Sequence, residues 1–226
     1  MKIGVLLSGN GVFDGSEIQE AVFTLLAIDQ NNAESLCFAP DIEHHHVLNH
    51  ITGEEMSETR NVLIESARIA RGNITDIKKI SEKDMDALVI PGGFGAAKNF
   101  TKWAFQGPDG DILPDVKRII IEMKHSNKPI CGLCMSPVVI AKALEGSGIK
   151  ASLTVGTTAS PSPYDIEAIS AGMNRTGATA VMKDITEIEV DEENKIITAP
   201  CYMMEARISQ VKKNVKMAVD KTIEMV

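Results

Sequence analysis

The sequence predicts an α/β domain with a mostly parallel sheet covered on both faces, and three observations carry that expectation. Short β-branched runs alternate with longer stretches of helical period, the pattern left by strands buried on two sides and helices that cross over them. The chain is 226 residues long and 44% hydrophobic, enough for one substantial core, so residues 1–226 are expected to form a single domain. No internal repeat or linker interrupts it, and Ser160-Pro161-Ser162-Pro163, the most breakable stretch, reads as a loop.

The predicted strands are Lys2–Leu7, Glu34–Phe38, Ala87–Ile90, Pro129–Leu133, Ala151–Val155 and a late β-hairpin from about Glu187 to Ala199. The first run meets Ser8-Gly9-Asn10-Gly11 too soon for a signal peptide or a membrane span. In the first helix Ile18, Ala21, Val22, Leu25 and Ile28 recur on one face, and Ser16 with Gln19 forms a capping-box pattern that starts the helix near Ser16. The polar turn Asp191-Glu192-Glu193-Asn194 separates the two arms of the hairpin, and Ile208–Val226 reads as a closing amphipathic helix.

Charge and cysteine usage exclude several classes. Lys and Arg number 23 against 31 Asp and Glu, a formal net charge of -8, and no basic stretch offsets phosphate repulsion, so nucleic acid is not an expected partner. Cysteines at 37, 131, 134 and 201, without a secretory signal, do not make a disulfide framework; the expected compartment is the reducing cytoplasm.

The strongest chemical signal is Lys128-Pro129-Ile130-Cys131-Gly132-Leu133-Cys134-Met135-Ser136-Pro137, an apolar strand running straight into a helix-starting Ser-Pro with a cysteine between them. This is a nucleophile-elbow pattern. Strand and helix come so close at such a turn that the positions two before and two after the nucleophile must be small, and Gly132 and Ser136 satisfy that. Cys134 would sit over the free N–H groups of the helix, whose positive end favours thiolate. The Cys131–Cys134 spacing also reads as a redox pair, but three strand steps of about 3.3 Å put the Cα atoms roughly 10 Å apart, beyond disulfide reach. Cys131 is therefore expected in the strand core.

A second signal is Leu88-Val89-Ile90-Pro91-Gly92-Gly93-Phe94-Gly95, a buried strand ending in glycines whose bare N–H groups could form half of an oxyanion hole. The third is Gly11–Glu20, the first strand–helix junction, which in a parallel sheet shares the carboxyl edge with the elbow. There Glu17 or Glu20 could reach the thiol and move a proton. The helical wheel puts both off the apolar face and does not choose between them.

Taken together these residues resemble the PfpI-like and class I glutamine amidotransferase-like superfamily, and within it the ElbB branch of glyoxalase-like proteins. The likeness runs through Leu7–Ala21, Phe38–Asp41, Asn49–Glu54, Arg60–Gly72, Pro91–Asn99, Gly132–Pro137 and Asn194–Tyr202. The resemblance implies a flavodoxin-like three-layer sandwich, a homodimer, the elbow cysteine Cys134 as nucleophile, Glu20 as its acid with Glu17 as runner-up, and His50 at the site's mouth. Relatives are also associated with isoprenoid biosynthesis, a link these residues do not explain. Two departures matter. The last histidine, His125, precedes Cys134, so no downstream histidine completes an amidotransferase triad, and Met135 stands where peptidase relatives carry His. Both the glutaminase and the peptidase readings are weakened.

His44-His45-His46 with His50 and Glu54 invites a metal reading, because His46, His50 and Glu54 would share a face of a helix. Three adjacent histidines cannot face one ion, and the tract follows Asp41 in an expected loop, so no metal and no cofactor is expected. Met56 and most other methionines are expected as core filler. The expected function is a cofactor-free, glutathione-independent glyoxalase-like lyase. Cys134 adds to a small 2-oxoaldehyde such as methylglyoxal or glyoxal, Gly92, Gly93 and Met135 line the oxyanion or substrate site, and Glu20 shifts the proton that yields a 2-hydroxy acid. The alternative is a regulatory protein in which Cys134 senses oxidants or holds a metabolite.

Overall fold

The computed structural model describes residues 1–226. Apolar runs that the sequence keeps short become β1 (Lys2–Leu6), β2 (Glu34–Ala39), β3 (Thr75–Asp76), β4 (Ala87–Ile90), β5 (Ile130–Leu133), β6 (Ser152–Leu153), β7 (Thr179–Ala180), β8 (Glu189–Asp191) and β9 (Ile196–Ala199). Seven of them form one sheet in the order β3-β2-β1-β4-β5-β9-β8. Every neighbouring pair in it is parallel except β8 with β9, the expected late hairpin.

Seven α-helices connect or flank the strands: α1 (Ile18–Gln30), α2 (Val62–Ile69), α3 (Trp103–Gln106), α4 (Pro114–His125), α5 (Pro137–Leu144), α6 (Ile166–Arg175) and α7 (Ile208–Glu224). The chain winds from β1 through α1 to β2 in one direction, then from β4 through α4 to β5 and on to β9 in the other. Right-handed crossovers taken in opposite directions place their helices on opposite faces. Accordingly α1 packs on α7, while α4 packs on α5. This is the flavodoxin-like three-layer sandwich, with a buried cluster of 53 hydrophobic residues through its middle. The strand order reverses between β1 and β4, and the carboxyl edge beside that reversal is where open α/β sheets hold their ligands.

Three local expectations are corrected. The run Ala151–Val155 does not join the main sheet: only Ser152–Leu153 is a strand, and it pairs with β7. The hairpin's side chains take its backbone donors, with Ser152 N–H on Asp191 Oδ2 at 2.8 Å and Thr154 N–H on Thr198 Oγ1 at 2.8 Å. Helix α1 starts at Ile18, not Ser16, with Glu17 as its N-cap. Its buried face is also rotated from the wheel's. Glu20, Ala21, Thr24, Ala27 and Ile28 are buried, whereas Ile18 and Val22 stay 46% and 45% exposed. Large apolar residues had set the wheel, but the small Ala21, Thr24 and Ala27 let α1 lie close to its neighbours and carry Glu20 inward.

Candidate active site

The loop after β1 is stitched to the glycine loop after β4 by main-chain bonds that side chains would obstruct. Glu17 N–H donates to the Gly92 carbonyl at 2.8 Å, Phe94 N–H to Val12 at 2.7 Å and Gly95 N–H to Gly15 at 2.9 Å. Gly93 has φ +101°, and a Cβ there would lie 2.3 Å from the Gly15 carbonyl oxygen, so only glycine fits. Ser16, expected as a helix cap, is instead a buried staple whose Oγ accepts the Ser8 N–H at 2.9 Å. The buried Asn99 amide donates to both Ser8 and Asp14 carbonyls at 2.9 Å, closing the loop from the other side. These contacts aim the start of α1 at the end of β5.

There the chain makes the expected elbow. Cys134 has φ 56°, a left-handed conformation that a non-glycine residue adopts only when its surroundings hold it. The hold is visible: Cys134 N–H donates to the Ala199 carbonyl at 2.8 Å, and Ser136 Oγ donates to the Pro91 carbonyl at 2.7 Å. A Cβ on Gly132 would lie 2.8 Å from Ile140 Cδ1, which explains the small residue demanded there. Cys131 is fully buried within β5, as expected, beside the Thr222 hydroxyl, and burial pushes its thiol up to about 12.

Glu20 meets Cys134 across Gly92. Its Oε2 accepts the Gly92 N–H at 3.0 Å and its Oε1 accepts the Tyr202 N–H at 3.2 Å, and its side chain is hydrogen-bonded to Cys134. A Cβ on Gly92 would lie 2.4 Å from Cys134 Cβ and 2.5 Å from Glu20 Oε2, so the glycine is what allows thiol and carboxyl to touch. Complete burial, and then the charge of Glu17, push the Glu20 carboxyl from 4.5 up to about 8. Cys134 is 5% exposed, and burial followed by the Glu20 charge raises its thiol well above the ordinary value. The N–H groups of Gly93 and Met135 oppose this at the sulfur, but they are outweighed. The expectation that the helix end makes Cys134 a ready thiolate is thus corrected: one negative charge at most suits this pair, and Glu20 is the group that yields its proton first.

The remaining expected residues separate. Gly93 and Met135 present N–H groups to the sulfur, whereas the Gly92 N–H is occupied by Glu20. Glu17 Oε2 accepts the Glu20 N–H at 2.6 Å, a capping role, and burial raises its carboxyl. His50 is not in contact with the pair. Its ring stacks on Phe13 with centroids 4.9 Å apart, Nε2 accepting the Phe13 N–H at 3.2 Å and Nδ1 donating to the Leu48 carbonyl at 3.0 Å. The histidine tract is dispersed: His45 and His46 lie against Phe105, and the His44 ring approaches Gly9.

Sequence reading missed the cavity beside the pair. Val12, Phe13, Glu17, Gln19, Pro163, Tyr164, Tyr202, Met204, Glu205 and Ala206 line a hollow of about 490 Å³. Tyr164 closes against Phe94, ring centroids 5.6 Å apart, and the Tyr202 hydroxyl donates to Gln19 Oε1. Ser160–Pro163 had carried no signal beyond a loop, and Tyr202 matters through a backbone N–H that any residue would possess. Cys201 follows β9 directly beside the elbow, because β5 and β9 pair from Ile130↔Ile196 to Leu133↔Ala199.

A glycine-cradled elbow cysteine with a buried glutamate, on this sheet, defines an amidotransferase-like protein with the fold of the DJ-1/PfpI proteins; Drosophila melanogaster DJ-1beta shares that fold at TM-score 0.55, 14% identity and coverage of 99% of this chain and 94% of that one. No family model matches the chain. A crystal structure of an isoprenoid biosynthesis protein with amidotransferase-like domain from Ehrlichia chaffeensis superposes with TM-score 0.89 and 33% identity over all of both chains. The human glutamine amidotransferase-like class 1 domain-containing protein 3, mitochondrial, is 39% identical over 99% of this chain and 83% of its own length. The chain belongs to the family of these amidotransferase-like proteins, which includes the ES1 proteins of rat and zebrafish.

The cytoplasmic expectation is overturned by the same comparison, since the human, rat and zebrafish relatives are all named mitochondrial. Unpaired cysteines report a reducing environment, and the mitochondrial interior provides one as well as the cytoplasm does.

Proposed function

We propose that the protein is a cofactor-free, glutathione-independent lyase that converts small 2-oxoaldehydes to 2-hydroxy acids at Cys134. The observation that carries this reading is a thiol and a carboxyl in hydrogen-bonding contact, the carboxyl held up to about 8 and bonded to the backbone of Tyr202, which lines the adjoining hollow. With Glu20 as carboxylate, sulfur attacks the aldehyde carbon while Glu20 takes the thiol proton and passes it to the carbonyl oxygen, giving a hemithioacetal. The N–H groups of Gly93 and Met135, which point at the sulfur, are the nearest backbone donors for the alkoxide that forms next to it. Glu20 then removes the carbon-bound proton of the hemithioacetal and returns it to the neighbouring carbon, leaving a thioester that water hydrolyses to the 2-hydroxy acid and free thiol.

A mitochondrial setting suits the names of the relatives, and a homodimer is supported by the stripe Ile18, Val22 and Leu26, which remains 37% exposed or more along α1. The oxidant-sensing alternative is less well supported, because a sensor thiol is exposed and acidic whereas Cys134 is buried and raised. The test is incubation with methylglyoxal in the absence of glutathione. Steady formation of lactate is expected, and a stoichiometric adduct without product would sink the lyase reading. Light scattering that finds one species of 24.4 kDa would rule out the dimer.

A further inference from the structure

The hollow beside Cys134 has a chemistry of its own that the proton shuttle does not use. Phe13, Tyr164 and Tyr202 give it aromatic walls, and Glu17 and Glu205 are its charged groups. No lysine, arginine or histidine lines it. Lys98, whose ammonium donates to the Phe13 carbonyl at 2.8 Å, opens instead on a neighbouring hollow of about 320 Å³ lined also by Leu48, Phe94 and Phe105. Negative aromatic faces together with carboxylates attract an organic cation and repel a carboxylate. A small neutral aldehyde would leave most of a 490 Å³ space unfilled.

We infer that the hollow selects substrates whose non-reacting end is a cation, an ammonium group that sits between the aromatic walls and Glu205 while the aldehyde carbon reaches Cys134. This rests on the reading of Cys134 as a nucleophile toward aldehydes and extends it to the class of aldehyde. A quaternary ammonium suits the site best, because it is weakly hydrated and spreads its charge over methyl groups that pack on rings. An anionic aldehyde meets Glu17 and Glu205 and is excluded.

The test measures how well aldehydes of one shape and different charge protect Cys134 from alkylation by iodoacetamide. Betaine aldehyde and 3,3-dimethylbutanal share a shape, trimethylammonium replacing tert-butyl, and succinic semialdehyde supplies the anion. Betaine aldehyde is expected to protect at about tenfold lower concentration than 3,3-dimethylbutanal, a ratio appropriate to one cation–π site, and succinic semialdehyde least. In Glu205→Gln the ratio should fall severalfold, which separates recognition from the greater intrinsic reactivity of the cationic aldehyde. Equal protection by the three aldehydes, or a ratio untouched by Glu205→Gln, overturns the inference even if lactate forms. Charge-dependent protection without lactate formation upholds it and removes the lyase reading.

Discussion

Strands β5 and β9 lie side by side, and just beyond the end of each stands a cysteine in left-handed conformation, Cys134 at φ 56° and Cys201 at φ 47°. Both are buried, and burial lifts both thiols well above the ordinary range. What differs is the surroundings. Cys201 is fully buried at the start of a single helical turn, with its N–H donating to Asn214 Oδ1 at 3.0 Å. Cys134 touches the carboxyl of Glu20 and has the Gly93 and Met135 N–H groups at its sulfur. Backbone strain therefore does not mark the nucleophile by itself. A carboxyl in contact with the sulfur is what sets Cys134 apart.

The sharpest way to break this comparison is to remove each thiol in turn. Cys134→Ala is expected to abolish lactate formation from methylglyoxal, whereas Cys201→Ala should retain it and lose about 1–2 kcal/mol of stability in denaturant unfolding. Activity that follows Cys201 instead would transfer the role to the neighbouring strand end. Next in size is Gly92→Ala, whose methyl would sit 2.4 Å from Cys134 Cβ and 2.5 Å from Glu20 Oε2. It should depress turnover about as far as removing the acid, with a folded circular-dichroism spectrum. Glu20→Gln should lower kcat by about 10²- to 10⁴-fold, the usual range for a lost general base, while the Cys134 adduct with methylglyoxal, formed more slowly without that base, accumulates and is seen by intact mass. Glu17→Gln removes a cap and a second charge but not the proton path, so a loss under about tenfold and some 1 kcal/mol of stability are expected. If Glu17→Gln stalls turnover and Glu20→Gln is nearly silent, the acid lies one helical turn earlier.

The smallest effects are on pH dependence, where activity and stability should move oppositely. Glu20 acts as carboxylate in the proposed cycle and is held up to about 8, so kcat should rise with pH until about 8 and then level. The folded chain, meanwhile, keeps a proton that the unfolded chain releases above 4.5. Its contribution to stability is complete below that value and declines as pH rises to about 8, by on the order of a few kcal/mol. Urea midpoints measured between those limits should fall in the parent and fall less in Glu20→Gln. An unaltered slope in the variant would mean that some other buried group holds the proton.

Much of this arrangement was written in the sequence because its signals are local. Short apolar runs separated by helical stretches required a sandwich with a parallel sheet, and Gly132, Cys134, Ser136 and Pro137 marked the elbow through sterics that operate within five residues. Gly92 and Gly93 announced a close backbone approach, although not what approaches. The choice of Glu20 over Glu17 rested on resemblance, since the wheel misjudged the buried face of α1. Only the folded chain shows Glu20 inward, because that depends on α7 and on a glycine 72 positions away.

The direction of the Cys134 shift was likewise beyond local reading. A helix N-terminus argues for thiolate, and the Gly93 and Met135 N–H groups do act that way. Burial depends on every segment that closes over the sulfur, and it is the larger effect. The sequence by itself determined the architecture, the elbow at Cys134 and the small residues around it, since each follows from contacts between near neighbours. The tertiary structure decided which carboxyl meets the thiol, where the pair's proton resides and which side chains line the adjoining hollow. Those properties arise where β1, β4, β5 and β9 end together, from residues that are close in space and distant along the chain.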